Sequence, residues 1–163
     1  MISSLITEMI AYYEGDPKRI QHFLKVYVYA KTIGEQEGLD KRTQNILETA
    51  AVTHDIGIKA SEEKYHSSAG KYQELEGPAI AGEMLKSLGF DQTLIERVCY
   101  LIGHHHTYDM IEGDDYQILV EADFLVNLAE ENSSKKVIRS VREKIFQTKT
   151  GIFMIEKIFK KKS

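Results

Sequence analysis

The chain has 163 residues, of which 42% are hydrophobic and 28% are charged, a composition typical of a folded globular protein and unlike that of a disordered chain. We expect a single domain over residues 1–163, with a motif-bearing core at about 17–131 and a C-terminal helix at about 133–160. The net charge of −4 provides no broad basic field, so a long nucleic acid is not an expected partner.

The chain also lacks the sequence signals of secretion and of membrane insertion. Cys99 is its only cysteine, so no intramolecular disulfide can form, which is typical of a reducing compartment. No apolar segment approaches the length of roughly 20 residues that is needed to span a membrane. Residues 1–13 lack the pattern of a signal peptide. We therefore expect a cytoplasmic protein without a membrane partner. The oligomeric state stays open, with a homodimer among the options.

Capping residues and prolines predict an all-α bundle of about five to seven helices. Asp16 and Asp40 are suited to cap helices, and Pro17 and Pro78 each fit the first position of a helix, where no N–H is needed. Two polar segments lack a sustained apolar period and are expected to form long loops. The segment 59–77 is expected to contain at most a short helical turn. The predicted helices cover residues 17–37, 40–57, 78–88, 91–105, 116–131 and 133–160, with long loops at 59–77 and 107–115.

Helical phase separates inward histidines from exposed ones. His54 continues a series of apolar residues at three- and four-residue steps, and Asp55 lies beside it. His22 shares a face with Val26 in the preceding helix. Both imidazoles are therefore expected to point into the protein.

Asp123 lies in the most apolar segment of the chain, ILVEADFLVNL. An ionised carboxylate in such surroundings costs several kcal/mol unless it is paired or bound to a metal. Together with His22, His54 and Asp55 it makes a mixed nitrogen and oxygen set that suits Mn, Fe, Zn, Ni, Co or Mg. The sequence therefore predicts a centre for one or two divalent ions, and no organic cofactor.

The consecutive histidines 104–106 follow an apolar series that ends at Ile102. The phase places His105 and His106 toward the core and His104 toward solvent. The two inward residues are candidates either for a second metal site or for contacts to substrate phosphate oxygens. The residues alone do not decide between these roles.

Each candidate also has a plainer interpretation. A single inward histidine is usually a hydrogen-bonded core residue, but a whole set of inward imidazoles and acids would leave many buried polar groups without partners. Glu76 is either a solvated charge near a helix start or an oxygen ligand of the second site. Lys59 is either a solvated loop residue or a phosphate contact.

With these residues in place, the chain resembles the HD-domain metal-dependent phosphohydrolase superfamily over about residues 19–128. The resemblance rests on His22, on the pair His54–Asp55 in AAVTHDIGI and on Asp123 in LVEADFLVNL. It implies a helical bundle and hydrolysis of a phosphomonoester or phosphodiester, often in a nucleotide. A small phosphorylated molecule is therefore the expected partner.

The middle of the chain is similar to one subgroup, HD-GYP, but departs from its pattern. Gly77 stands near the position of the middle histidine of that subgroup, and Ile58 stands where its lysine follows HDIG. No Gly-Tyr-Pro follows the histidine doublet. A cyclic dinucleotide phosphodiesterase is therefore not expected, and Glu76 is the candidate that replaces the missing histidine.

In the expected mechanism, Asp55 orients a water that the metal activates for attack on phosphorus. His105 and His106 neutralise phosphoryl oxygens as charge develops, with Lys59 as a helper. Two other functions stay open. Some HD-type proteins hold two irons and use oxygen on a small polyol or phosphonate, and six such ligands permit that chemistry here. A non-catalytic nucleotide sensor is the third option, although a full ligand set favours catalysis.

Overall fold

The computed structural model describes residues 1–161, which form nine α-helices and no β-strand. The all-helical prediction is confirmed, whereas residues 162 and 163 of the predicted domain lie outside the described part. Over the described range, no helix has both the length and the apolar character needed to cross a membrane. In chain order the helices are α1 (Ile2–Tyr12), α2 (Pro17–Gln36), α3 (Lys41–Thr53), α4 (Ile58–Tyr65), α5 (Gly70–Ser87), α6 (Gln92–Ile102), α7 (Asp114–Glu130), α8 (Lys135–Lys144) and α9 (Lys149–Ile158).

The predicted starts of α2 and α3 are confirmed by their side-chain caps. Asp16 accepts a hydrogen bond from the backbone N–H of Arg19 at 3.2 Å, and Asp40 accepts one from that of Thr43 at 2.9 Å. These contacts satisfy N–H groups that have no partner inside their helix. Two helices end earlier than predicted, α3 at Thr53 and α6 at residue 102. The His54–Asp55 pair and the three histidines 104–106 therefore lie on turns that follow a helix.

The prediction of a loop over residues 59–77 is wrong, because α4 and the first part of α5 occupy this segment. Pro78 lies inside α5 and not at its start, where it removes one backbone hydrogen bond. The inward stripe of α5 was difficult to recognise because half of it is polar or glycine. The buried residues of this stripe are Gln73, Gly77, Ala81 and Leu85.

Two glycines allow α5 to approach the turn after α3. A Cβ atom added to Gly57 would lie 2.7 Å from the carbonyl oxygen of Gln73 and 2.8 Å from the backbone nitrogen of Gly77. A Cβ atom on Gly77 would lie 2.7 Å from a methyl carbon of Ile102. A side chain at Gly57 would therefore force α5 away from the turn that carries His54, and one at Gly77 would force α5 away from α6.

The single C-terminal helix predicted at 133–160 is wrong as well, since α8 and α9 are separate helices. Together with α1 and α4, which were not predicted, this break raises the helix count above the expected range. The chain turns between α8 and α9 because Glu121 on α7 accepts hydrogen bonds from the backbone N–H groups of Gln147 and Thr148, each at 3.0 Å. A carboxyl group that binds these two N–H groups stabilises a non-helical connection.

The core lies around α7, which is buried along most of its length. Helices α2, α3 and α9 pack against it, and α3 also contacts α1 and α6. This arrangement brings the second turn of α2, the end of α3 and the centre of α7 together. These are the three segments that carry His22, the His54–Asp55 pair and Asp123.

Candidate metal centre

The turn after α3 is held by two tyrosines from the end of α1. The Tyr13 hydroxyl donates to the carbonyl oxygen of Asp55 at 2.6 Å, and the Tyr12 hydroxyl donates to that of Ile56 at 3.3 Å. Carbonyl groups at the end of a helix have no partner inside it, so these hydroxyls satisfy them. The contacts fix the backbone from which the side chains of His54 and Asp55 project.

Two buried imidazoles are oriented by the carbonyl oxygens of the helices that they follow. His54 Nδ1 lies 2.7 Å from the carbonyl oxygen of Ala51, and His105 Nδ1 lies 2.7 Å from that of Ile102. A carbonyl only accepts, so Nδ1 carries the proton in each ring. When these rings are neutral, each therefore presents an Nε2 lone pair, the usual arrangement of a metal-binding histidine.

His22 is oriented in the same way by an acid from α7. Its Nδ1 donates to a carboxylate oxygen of Glu130 at 2.8 Å, and the other oxygen of Glu130 accepts from Lys25 at 3.0 Å. The acid thereby directs Nε2 of His22 toward the interior. Glu130 was not predicted, although it follows Asp123 by seven residues and so lies on the same helical face.

The inward atoms of four predicted residues lie within about one hydrogen-bond length of each other. His22 Nε2 and His54 Nε2 are 3.3 Å apart, and Asp123 Oδ1 lies 3.3 Å from each. Asp55 adds one carboxylate oxygen 3.0 Å from His22 Nε2 and the other 3.3 Å from His54 Nε2. The structure thus brings together two imidazoles and two carboxylates from three helices.

Two buried atoms in this cluster fit the binding of a cation. Within residues 1–161, Asp123 Oδ1 and His105 Nε2 are buried without a hydrogen-bond partner of acceptable geometry. Buried polar atoms without partners are costly, and a divalent ion would satisfy both. The ligand atoms form two groups, each with all its atoms within 4.8 Å: the first contains His22, His54 and Asp123, and the second contains Asp55, His105 and His106.

In the metal-free protein, protons compensate the buried carboxylates. Burial lowers the pKa of His22, but its close contacts with the carboxylates of Asp123 and Asp55 outweigh it and raise the pKa to about 11. Burial also lowers the pKa of His54, but the charges of Asp55 and Asp123 outweigh it and raise the pKa to about 10. Burial raises the pKa of Asp123, but the charge of His54 and the close contact with His22 hold it well below its usual range. Positive charge is therefore favoured at this position, from protons or from a metal.

The turn after α6 presents His105 and His106 to the same region. Glu74 accepts hydrogen bonds from the His106 backbone N–H at 3.0 Å and from the Thr107 hydroxyl at 2.9 Å. Burial and the charge of His105 lower the pKa of His106 to about 4. His106 is therefore neutral near pH 7, which suits a metal ligand better than a cation for phosphate. His104 lies outside both ligand groups and stacks on Tyr100 with ring centres 4.1 Å apart.

Replacing Tyr116 by phenylalanine is expected to lower the free energy of unfolding by about 1 kcal/mol, because two partly buried carbonyl groups lose a hydrogen-bond donor. The fully buried Tyr116 hydroxyl lies 2.7 Å from the carbonyl oxygen of His104 and also contacts that of Thr107. Urea denaturation measures the change. Tyr29→Phe is the control, since the Tyr29 hydroxyl has no hydrogen bond among the described residues. Equal stability of Tyr116→Phe and the unmodified protein would contradict the assigned role.

The structure does not bring two of the predicted site residues to the cluster. Glu76 accepts hydrogen bonds from Lys64 at 2.6 Å and from the Tyr65 hydroxyl at 2.9 Å, so it is not a member of the second ligand group. Lys59 is exposed, with its ammonium nitrogen 5.2 Å from the centre of the Tyr12 ring. Both residues lie on helices of the segment 59–76, Lys59 on α4 and Glu76 on α5, and their contacts are with Tyr12, Lys64 and Tyr65 and not with the cluster.

A cavity of about 400 Å³ opens next to the cluster, and His22, Asp55, His106 and Asp123 form part of its wall. The same wall contains polar and charged residues that were not predicted as site residues. Of these, Asn127 follows Asp123 by four residues, a spacing on an apolar helix that could have indicated it. The additional residues are Lys18, Arg19, Ser68, Gln73, Asn127, Glu130 and Glu131.

Comparison with known proteins gives one family and one solved structure. A family model described as HD domain matches residues 19–147. The chain is similar to the crystal structure of a predicted HD superfamily hydrolase from an uncultured Thermotogales bacterium, with a TM-score of 0.65 and 24% sequence identity over 96% of this chain and 82% of that chain. At this identity the structural match supports the fold alone. No curated protein matches the chain significantly.

Proposed function

The chain belongs to the HD-domain family, and we propose that it is a metal-dependent phosphohydrolase acting on a small phosphorylated molecule such as a nucleotide. One observation carries this proposal. Two adjoining groups of nitrogen and oxygen ligands lie beside a polar cavity whose volume of about 400 Å³ suits a small substrate. A mixed ligand set with room for substrate is typical of a catalytic metal centre.

The first ligand group would hold one divalent ion, and the second group, which includes Asp55, would hold another. A bound ion of the Mn, Fe, Zn, Ni, Co or Mg type supplies positive charge to phosphoryl oxygens and lowers the pKa of water. Asp55 contacts His22 and His54 of the first group and lies 3.7 Å from His105 Nε2 of the second. Its carboxylate is therefore placed to accept a hydrogen bond from the attacking water and to orient it.

The cavity wall supports an anionic and polar substrate. Lys18 and Arg19 lie on the first turn of α2 and offer charge-assisted hydrogen bonds to phosphate oxygens. Arg19 is positioned by ion pairs with Asp16 and Glu62. The side chains of Ser68, Gln73 and Asn127 on the wall can form hydrogen bonds with the hydroxyl and amide groups of a nucleoside.

A substrate screen tests this function. The purified protein is analysed for bound metals and then assayed for phosphate release from nucleoside monophosphates, nucleoside polyphosphates and sugar phosphates with each divalent ion. We expect metal-dependent release that chelation abolishes and that metal addition restores. A metal-loaded protein without turnover across this panel would contradict the hydrolase proposal and support the nucleotide sensor.

A di-iron oxygenase is the second candidate, and the adjacency of the two ligand groups favours it. Asp55 belongs to the second group and lies 3.3 Å from His54 Nε2 of the first, so residues of both groups would hold a pair of irons. Anaerobic purification followed by metal analysis and oxygen-uptake measurements with a small polyol or phosphonate discriminates between the candidates. Two irons per chain with substrate-dependent oxygen uptake would replace the hydrolase proposal.

A further inference from the structure

The last two helices carry a strong positive charge that the net charge of the chain conceals. Residues 135–163 contain ten lysines and arginines and two glutamates, whereas residues 1–134 contain eleven basic and twenty-three acidic residues. Helix α8 has no buried residue, so its charges lie at the surface. Such an asymmetry indicates an anionic ligand or partner for this end of the chain.

A groove of about 370 Å³ lies between α8 and α9. Its apolar floor is formed by Ile138, Ile155 and Phe159. It shares no lining residue with the cavity beside the metal centre, and α9 lies beyond the residues matched by the family model. The groove is therefore separate from the site described above. Three rim cations surround the apolar floor: Lys135, Arg139 and Lys161.

Within residues 1–161, the positive charges of the groove are only partly balanced by carboxylates. Arg142 pairs with Glu156 at 2.9 Å, which neutralises the acid on the groove wall. Among residues 1–161, no carboxylate lies within ion-pairing distance of the three rim cations. Contact with Lys161 lowers the pKa of Lys135, because two adjacent ammonium groups disfavour each other's charge. An anion between them would relieve this repulsion.

We propose that this groove binds a single-chain anionic amphiphile, with its carboxylate on the rim cations and its alkyl chain along the apolar floor. Charge-assisted hydrogen bonds from lysine and arginine would hold the head group. Burial of the chain removes apolar surface of both partners from water. Two of the three floor residues are branched aliphatic side chains, which contact a flexible methylene chain more fully than they stack on a planar base.

Calorimetric titration of the full-length protein with dodecanoate, below its micelle concentration, tests the proposal. We expect saturable binding of one molecule per chain. Acetate has the head group without the chain, and dodecyl maltoside has the chain without the charge, so each should bind at least about tenfold more weakly. Equal affinity for acetate, or the absence of saturable dodecanoate binding, would overturn the proposal.

Matched charge reversals locate the site. Arg139→Glu is expected to weaken dodecanoate binding at least about tenfold, because it replaces a cation of the rim by an anion. Lys136→Glu makes the same change of charge on the same helix but outside the groove, and it should leave the affinity within about twofold. Equal weakening by both variants would mean that general surface charge attracts the ligand, which contradicts a built groove.

A metal-centre variant separates this proposal from the proposed hydrolase function. Asp55→Asn should bind dodecanoate as the unmodified protein does, because Asp55 lines the other cavity. Loss of dodecanoate binding in Asp55→Asn would place the ligand at the metal centre and overturn the groove. A failure to hydrolyse phosphate esters would leave the result of the dodecanoate titration unaffected.

Discussion

Replacing Asp55 by asparagine is expected to lower kcat/KM for phosphate release by about a thousandfold and to remove most of the bound metal. Asparagine keeps the shape of the side chain but removes its charge from a position 3.0 Å from His22 Nε2 and 3.3 Å from His54 Nε2. A catalytic metal supplies several kcal/mol of transition-state stabilisation, and each 1.4 kcal/mol corresponds to a factor of ten. Elemental analysis and steady-state kinetics with the best substrate of the screen measure both effects.

His104→Ala is the matched control for this variant. His104 is next to the candidate ligands His105 and His106 in sequence, but its imidazole packs on the Tyr100 ring. Its Nδ1 donates a hydrogen bond to the Tyr100 carbonyl oxygen at 2.7 Å. We expect metal content and kcat/KM within about threefold of the unmodified protein. Full metal content in Asp55→Asn, or a loss in His104→Ala as large as that in Asp55→Asn, would show that the ligand assignment is wrong.

The second large effect is expected for stability. Glu121→Ala should lower the free energy of unfolding by about 3–5 kcal/mol, since four donors lose one shared, buried acceptor. The Glu121 side chain is fully buried, and it accepts from Gln117 at 2.6 Å, from the Thr148 hydroxyl at 2.6 Å and from two backbone N–H groups. Gly151 packs so closely on this carboxyl group that a Cβ atom would collide with it. Chemical denaturation with circular dichroism detection gives the change.

Glu143→Ala provides the control for this prediction, because Glu143 is exposed on α8 and has no ion pair among the described residues. Its free energy of unfolding should change by no more than about 0.5 kcal/mol. If Glu121→Ala were as stable as Glu143→Ala, the carboxyl group would not be what connects α7 to the turn between α8 and α9.

Much of the helical framework could be predicted because its signals are local. A capping carboxylate such as Asp16 or Asp40 contacts an N–H group only three residues away. The apolar spacing of α2 and α3 likewise repeats within a few residues. The first half of α5 was missed for the same reason. Its buried stripe includes Gln73 and Gly77, which a search for apolar periodicity does not recognise.

The inward direction of the metal-centre residues also followed from local phase, but their partners did not. Glu130 binds His22 across 108 positions of sequence, and Glu74 binds the His106 backbone across 32. The choice of Glu74 over Glu76 depends on which face of α5 meets the histidine turn. The location of Lys59 over Tyr12 depends in the same way on the packing of α1.

The sequence by itself determined the helical class, the main helix starts and the four residues His22, His54, Asp55 and Asp123 as one inward set. Helix spacing and buried charge are properties of short segments, and they can be evaluated before the chain is folded. Only the tertiary structure decided which nitrogen of His22 points inward, which acid supports it and where the chain turns after α8. These features depend on contacts between segments that are distant in sequence, and their geometry exists only once the helices have packed.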